Sequence, residues 1–142
     1  MRTKFMLFSA IAILITLGFA ACRAAAPASN DPLDGTSWEL YAYRKTRPIE
    51  GSTITARFED GQVRGSAGCN SYGGSYQVKG NNIEIGDIAW TAMACLEPEG
   101  VMDQETTVLG FLQAAQTFSF DAEDRLLIFR SDGEALTFMP AE

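Results

Sequence analysis

Two of the three cysteines lie in short stretches rich in small residues, Gly-Ser-Ala-Gly-Cys-Asn at 65–70 and Thr-Ala-Met-Ala-Cys at 91–95. Thiols in this setting could bind a metal, attack a substrate, stay free or join in a disulfide. Two cysteines are too few soft ligands for a metal site, and the chain has no histidine to complete one. A nucleophilic thiol needs a nearby cation to lower its pKa, and no Lys or Arg lies between Gly65 and Gly74. A disulfide between Cys69 and Cys95 fits best, provided that the protein is exported.

A chain without histidine cannot form a Ser-His-Asp or Cys-His pair, which leaves carboxylate, Lys and Tyr chemistry open. The carboxylate candidates for catalysis are Glu105, Asp87 and the group Asp121, Glu123 and Asp124. Glycoside hydrolysis needs two carboxylates that flank a cleft, whereas the 121–124 group has the composition of a solvated turn and Glu105 can equally bind backbone groups. The residue spacing of a calcium loop is also missing. We therefore predict no catalytic residue, no metal ligand and no cofactor, and expect a protein that is not an enzyme.

The N-terminus has the pattern of an export signal, with two basic residues within positions 1–4 and an apolar run from 5 to 21. The segment Phe19-Ala20-Ala21-Cys22 resembles the lipobox of bacterial lipoproteins, in which the cysteine is acylated and becomes the new N-terminus. Phe19 departs from the aliphatic residue that is usual at its position. We predict a lipoprotein-type signal peptide at 1–21 and a lipidated Cys22. The alternatives are an uncleaved membrane helix and ordinary cleavage after Ala28.

The predicted mature chain is acidic. Removal of residues 1–21 leaves nine basic and eighteen acidic residues, a net charge of −9. Such a chain repels nucleic acids and anionic surfaces, so we exclude nucleic-acid binding. Residues 22–33 are rich in Ala, Pro, Ser and Asn and are predicted to tether one domain, 34–142, to a membrane. Export places Cys69 and Cys95 where disulfides persist, and their bridge would stabilise the fold by about 3.5 kcal/mol.

Turn signals and alternating hydrophobicity predict a β domain. Asp60-Gly61, Gly80-Asn81 and Asp132-Gly133 are candidate two-residue hairpin turns, and short alternating segments lie between them. The segment Val101–Gln116 instead has apolar residues at helical spacing, and we expect Pro98 in its first turn. The pattern predicts an antiparallel meander or small barrel, with a single helix packed on a curved sheet or plugging it.

The stretch 65–76 combines glycines with residues that suit strands and turns. Its glycines allow positive φ angles and close approach of neighbouring backbones. We expect Asn70 to stabilise a turn by bonding its own backbone, and Tyr72 and Tyr76 to pack across strands. A phosphate-binding loop is excluded, because the Lys-Ser/Thr ending and the following helix are missing.

Several motifs carry a family resemblance. A Gly-Cys-Asn-x-Tyr-x-Gly-x-Tyr segment is formed by Gly68, Cys69, Asn70, Tyr72, Gly74 and Tyr76, and a Thr-x-Met-Ala-Cys segment by Thr91, Met93, Ala94 and Cys95. A Glu on the predicted helix is Glu105, and a Gly-Thr-x-Trp opening is formed by Gly35, Thr36 and Trp38. Together these residues resemble the META-domain family, which includes the HslJ heat-shock group (DUF306-like), over nearly the whole of 34–140.

This resemblance implies a mainly β (α+β) fold: a small antiparallel curved sheet or cracked barrel with one packed helix, akin to secretin pilot lipoproteins. It implies a place in the bacterial cell envelope and a loose link to stress response, but no defined activity. We therefore expect a lipoprotein that acts in binding or in envelope maintenance, through an envelope protein partner. Arg23 after Cys22 favours the outer membrane over the inner one.

An alternative role is that of a pilot-like carrier of a lipid or apolar peptide. The domain is rich in aromatic residues, and a curved sheet covered by a helix could hold such a ligand. We expect most of these residues to fill the core instead. They are Trp38, Tyr41, Tyr43, Phe58, Trp90, Phe111, Phe118, Phe120, Phe129 and Phe138.

Overall fold

The computed structural model describes residues 30–141; the predicted signal peptide, Cys22 and most of the predicted tether lie outside these residues. Eight strands and one helix follow one another along the chain. They are β1 (Thr36–Tyr43), β2 (Thr55–Glu59), β3 (Gln62–Ser66), β4 (Ser71–Lys79), β5 (Asn82–Trp90), α1 (Val101–Gln113), β6 (Thr117–Phe120), β7 (Leu126–Phe129) and β8 (Ala135–Pro140).

The strands form a single curved antiparallel sheet. Each strand pairs with the next along the chain, and β8 pairs back with β1, so that the sheet closes on itself. The weakest junction joins β5 to β6, which share the single residue pair Asn82 and Thr117. Helix α1 packs against β5 next to this junction. The predicted fold class is therefore confirmed: a mainly β curved sheet with one packed helix.

The hairpin turns form where the sequence predicts them, between β2 and β3, β4 and β5, and β7 and β8. The first two are two-residue turns as predicted, whereas the third is longer, because residues 130–134 separate β7 from β8. Their glycines have the positive φ angles that such turns require, 72° at Gly61, 61° at Gly80 and 79° at Gly133. The predicted position of Pro98 is wrong. It lies ahead of α1, because Gly100 adopts a left-handed conformation with φ 83° and the helix begins after it.

Apolar side chains from the sheet and from one face of α1 fill the interior. The largest fully buried side chains include three phenylalanines and several branched aliphatic residues: Phe58, Phe111, Phe138, Leu33, Ile54, Leu112, Leu126, Ile128 and Leu136. The sequence predicts Leu33 as part of the tether. Its side chain is buried in the core, and its N–H donates to Oδ1 of Asp31 at 2.9 Å. The packed part of the chain therefore includes the last residues of the segment predicted as a tether.

Five of the ten aromatic residues predicted mostly to fill the core are buried, and Tyr41, Tyr43 and Phe129 are partly buried. Trp38, Phe118 and the three fully buried phenylalanines are enclosed, whereas Trp90 is 51% and Phe120 42% exposed. The core prediction is wrong for these two side chains. Alternation along a strand does not distinguish a position in its buried middle from one at its end, where Trp90 and Phe120 lie.

Two glycines lead to opposite predictions for substitution by alanine. A Cβ atom on Gly65 would lie 1.9 Å from the carbonyl oxygen of Thr55 on a neighbouring strand, so Gly65→Ala should destabilise the domain by about 1–3 kcal/mol. Gly110 lies on the exposed side of α1, where an added Cβ meets nothing within 4 Å. Gly110→Ala should therefore stabilise the domain by about 1 kcal/mol. Urea unfolding of the two variants tests this, and a change of the same sign in both would contradict it.

Candidate functional site

Several of the predicted family residues meet at one end of the sheet, whereas Tyr76 and Gly35 lie near the β2–β3 turn, where their N–H groups donate to the carbonyl oxygens of Gly61 and Phe58. Cys69, in the connection between β3 and β4, forms a disulfide with Cys95, and their Cα atoms are 5.9 Å apart. Cys95 belongs to residues 91–96, which follow β5 without regular secondary structure and which we call the disulfide loop. The predicted disulfide is thus present, and it fastens this loop to the β3–β4 connection.

Asn70 is buried next to the disulfide, and its amide group uses its full hydrogen-bonding capacity. Nδ2 donates to Oε1 of Glu105 at 2.7 Å and to the carbonyl oxygen of Met93 at 3.0 Å. Oδ1 accepts from Oγ1 of Thr91 at 2.7 Å and from the N–H of Met93 at 2.8 Å. The expected bond of Asn70 to its own backbone is therefore replaced by bonds to α1 and to the disulfide loop.

Glu105 is the buried carboxylate of this network. Besides Nδ2 of Asn70, it accepts the N–H groups of Asn70 at 2.7 Å and of Cys69 at 3.3 Å, both at Oε2. Three donors compensate the cost of removing this carboxylate from water. Both of its oxygens serve to hold the β3–β4 connection on α1.

The disulfide loop is attached along one edge. The N–H of Thr91 donates to the carbonyl oxygen of Ser71 at 3.0 Å, that of Met93 to Asn70, and that of Cys95 to Sδ of Met102 at 3.4 Å. Bonds at every second residue are typical of a β-strand. The loop therefore continues the direction of β5 without having a second strand beside it.

The motif glycines permit close contacts in this region. Gly68 has φ 115°, and a Cβ atom there would lie 3.2 Å from Cγ2 of Val101 at the start of α1. A Cβ atom on Gly74 would lie 2.6 Å from the carbonyl oxygen of Gly86 on β5. Larger side chains at either position would push apart the elements that carry Asn70, Glu105 and the disulfide loop.

The two motif tyrosines are buried between strands, as predicted. Tyr72 donates its hydroxyl to the carbonyl oxygen of Thr55 at 2.9 Å. The ring of Tyr76 packs edge-on against Phe58, with ring centroids 4.9 Å apart. Its hydroxyl is enclosed near Asp31, but it makes no hydrogen bond of normal geometry within residues 30–141. Burial raises the pKa of both tyrosines, and the Asp31 carboxylate contributes at Tyr76.

These shifts predict a loss of stability at alkaline pH. A tyrosine whose pKa is higher in the folded than in the unfolded protein contributes stability that is complete below the unfolded value, about 10, and is lost as the pH rises through the folded value. Urea midpoints measured between pH 8 and pH 11.5 should therefore fall above about pH 10. Tyr76→Phe removes one titrating group and a hydroxyl without a good partner. It should retain stability at pH 8 and weaken the alkaline loss; an unchanged loss would contradict the prediction.

The candidate carboxylates do not form one site. Glu105 lies on α1, Asp87 at an exposed position of β5 with φ 53°, and the remaining three lie between β6 and β7. Asp121 accepts the N–H of Arg125 at 2.9 Å and its Nε at 2.7 Å, and Glu123 pairs with the same guanidinium at 2.8 Å. No hydrogen bond connects the three locations within the described chain, and Asp121 and Glu123 hold a turn together.

Two features of the site could not be predicted from the sequence. Gln104, next to Glu105, is buried; its Oε1 accepts the N–H of Ile49 at 2.7 Å and its Nε2 donates to Oγ of Ser52 at 2.8 Å. It thereby attaches the long β1–β2 connection to α1. The second feature is the exposure of apolar side chains around the disulfide loop. Neither has a local signal, because both depend on residues distant in sequence.

Within residues 30–141, no group of three His, Cys, Asp or Glu side chains has the arrangement of a metal site. No helix in the same range is both long and apolar enough to cross a membrane.

Comparison with solved structures supports the fold. The chain is similar to the NMR structure of a protein from Burkholderia xenovorans, with a TM-score of 0.65 and 26% identity over 87% of this chain and 97% of that one. A second NMR structure matches with a TM-score of 0.60 and 19% identity over 75% of this chain and 89% of that one, a likeness of fold alone. None of the curated proteins matches the sequence. The model of the META domain matches residues 31–142, and the chain therefore belongs to the META domain family.

Proposed function

We propose that the protein is an exported, lipid-anchored binding module of the bacterial cell envelope, which contacts a partner protein through the outer surface of the disulfide loop and has no catalytic role. The observation that carries this proposal is the use of the polar motif residues. Asn70 uses its side-chain hydrogen bonds to hold the loop, and Glu105 uses its own to hold Asn70 and the β3–β4 connection. The large side chains that the loop leaves exposed, Met93 and Leu96, are apolar, which suits contact better than chemistry.

The packed interior favours binding on the outside over a role as carrier. Large side chains from several strands and from α1, among them Phe58, Phe111 and Phe138, are completely enclosed. A lipid chain held inside the sheet would have to displace them, and displacement from a close-packed core is costly. A ligand on the outer surface requires no such rearrangement.

The place where the chain enters the domain also supports this proposal. The N–H of Gly35 donates to the carbonyl oxygen of Phe58, and the N–H of Asp60 to Oδ1 of Asp34, so the chain enters beside the β2–β3 turn. The disulfide loop lies at the opposite end of β3, next to Cys69. An anchor at Cys22 would thus leave the loop on the side away from its attachment.

Intact-mass measurement of the full chain, purified from membranes with and without reductant, tests the anchor and the disulfide together. We expect a mass increased by acyl groups and a gain of two hydrogen atoms on reduction. Cys22→Ala should move the protein from the membrane to the soluble fraction. Recovery of the protein in the soluble fraction, without acyl groups, would refute the anchor.

Crosslinking in intact cells tests the binding role. The full chain should yield one reproducible crosslinked partner, and Leu96→Ser in the disulfide loop should abolish the product. Met139→Ser is the matched control, because Met139 is an exposed apolar residue on β8, outside the loop. Equal crosslinking of both variants would count against a partner at the disulfide loop.

A further inference from the structure

The disulfide loop and the end of β5 form an apolar surface. Trp90, Met93 and Leu96 are 51%, 57% and 88% exposed. They are three of the five large apolar side chains that are exposed within residues 30–141. Because most other large apolar residues of the described chain are buried, this concentration marks a contact surface.

A shallow cleft continues this surface along α1. Its volume is about 200 Å³, and it is lined by Trp90, Glu105, Thr106, Leu109, Gly110 and Gln113. Gly110 leaves open space at the helix surface, since a Cβ atom there would touch nothing. A side chain of a bound segment could therefore lie between the indole of Trp90 and the helix.

The outer edge of the loop offers free backbone groups. The N–H groups of Ala92, Ala94 and Leu96 make no hydrogen bond within residues 30–141, whereas those of the residues between them are bonded inwards. This alternation is that of an edge strand, whose free N–H and C=O groups can pair with an added strand. The disulfide and Asn70 hold the edge in place, which lowers the entropy lost on binding.

The charged residues that follow the disulfide loop in sequence, up to position 124, are all acidic. Glu97, Glu99 and Asp103 are exposed, and none makes an ion pair within the described chain. The sequence has no lysine or arginine from position 80 to position 124. An anionic lipid surface or an acidic peptide would be repelled, whereas a cationic segment would be attracted.

We propose that the disulfide loop binds an extended polypeptide segment of a partner protein that is both cationic and apolar, as a strand added along residues 92–96. Its apolar side chains contact Trp90 and Leu96, which lie on the same face of an extended strand, and its cations face Glu97, Glu99 and Asp103. This proposal rests on the binding role proposed above, but it does not depend on acylation of Cys22.

Quenching of tryptophan fluorescence tests the proposal in the purified full chain in a non-ionic detergent. The chain has two tryptophans; Trp38 is buried and Trp90 exposed, so acrylamide quenching reports on Trp90. An alternating Leu/Lys peptide should protect Trp90 from acrylamide in a saturable manner. Peptides of the same length that alternate Leu/Glu, Leu/Ser or Ser/Lys should protect it at least about tenfold more weakly.

Variants test the two halves of the surface separately. Glu97→Gln/Glu99→Gln/Asp103→Asn should weaken binding of the Leu/Lys peptide about tenfold, since each exposed ion pair contributes modestly. The matched control, Glu39→Gln/Glu84→Gln/Asp124→Asn, removes the same charge from exposed positions elsewhere and should have little effect. Met93→Ser/Leu96→Ser should also weaken binding, whereas Met139→Ser should not.

Two results would overturn the proposal. If the Leu/Lys and Leu/Ser peptides protected Trp90 equally, the carboxylates would have no role in binding. If the test and control charge variants weakened binding equally, binding would depend on the net charge of the protein and not on these three carboxylates. The outcome is separable from that for the envelope role. If the protein binds the peptide but is found to carry no acyl group, only the proposed anchor is refuted. If the protein is acylated and has a crosslinked partner but binds no peptide, only the proposed chemistry of the partner is refuted.

Discussion

Glu105→Ala should lower the free energy of unfolding by about 3–5 kcal/mol. This loss is large for a residue that the sequence pattern alone places on the helix surface and that makes no ion pair within the described chain. The substitution leaves three buried donors without an acceptor: the N–H groups of Cys69 and Asn70 and Nδ2 of Asn70. Each unsatisfied buried donor costs about 1–3 kcal/mol. Urea unfolding monitored by circular dichroism measures the loss.

The matched controls separate this effect from changes in helix propensity or charge. Gln113→Ala on the exposed side of α1 should change stability by less than about 0.5 kcal/mol. Glu105→Gln keeps the shape of the side chain but turns one acceptor into a donor that faces other donors, so an intermediate loss is expected. If Glu105→Gln were as stable as the parent protein, the hydrogen bonds would not explain the burial of Glu105.

The carboxylate also determines how Asn70 is oriented. Because both oxygens of Glu105 are acceptors, the Nδ2 side of Asn70 must face α1 and its Oδ1 side must face Thr91 and Met93. Asn70→Asp has the same shape but places a second carboxylate oxygen at the position 2.7 Å from Oε1 of Glu105. We expect a loss of stability similar to that of Glu105→Ala, while the disulfide still holds the loop.

Much of the fold could be predicted from the sequence because its signals are local. Aspartate or asparagine beside glycine fixes a tight turn through φ alone, and the three hairpins form at such pairs. The apolar spacing after Val101 gives the helix, which ends at Gln113. The disulfide follows from the predicted compartment and from the lack of other partners for the two cysteines.

The candidate site could be predicted only in part, since its contacts join residues that are far apart in sequence. The side chain of Asn70 finds its partners 23 and 35 positions away, and nothing near Asn70 distinguishes such a network from a local turn. The exposure of Trp90 depends on where β5 ends relative to α1. The burial of Leu33 depends on the space left inside the sheet, which no composition rule describes.

Replacement of both cysteines in Cys69→Ser/Cys95→Ser should lower the free energy of unfolding by about 3.5 kcal/mol without a change of fold. The disulfide closes a loop across 26 positions of sequence, and its removal gives the unfolded chain more freedom. The folded loop should stay in place, because Asn70 still holds Thr91 and Met93. Urea unfolding measures the loss, and reduction of the parent protein should reproduce it. Equal stability with and without reductant would contradict the prediction.

Cleavage of the disulfide loop by thermolysin shows how the two attachments of the loop depend on each other. Asn70 holds the first half of the loop and Cys95 its second half, so either attachment alone should keep the loop protected. Asn70→Ala should therefore increase cleavage next to Met93 or Leu96 slightly in the parent protein, and much more in Cys69→Ser/Cys95→Ser. Two attachments on one short segment have to be coupled in this way, because the loop opens only when both are lost. Equal increases in the two backgrounds would mean that the disulfide and the Asn70 network stabilise separate parts of the domain.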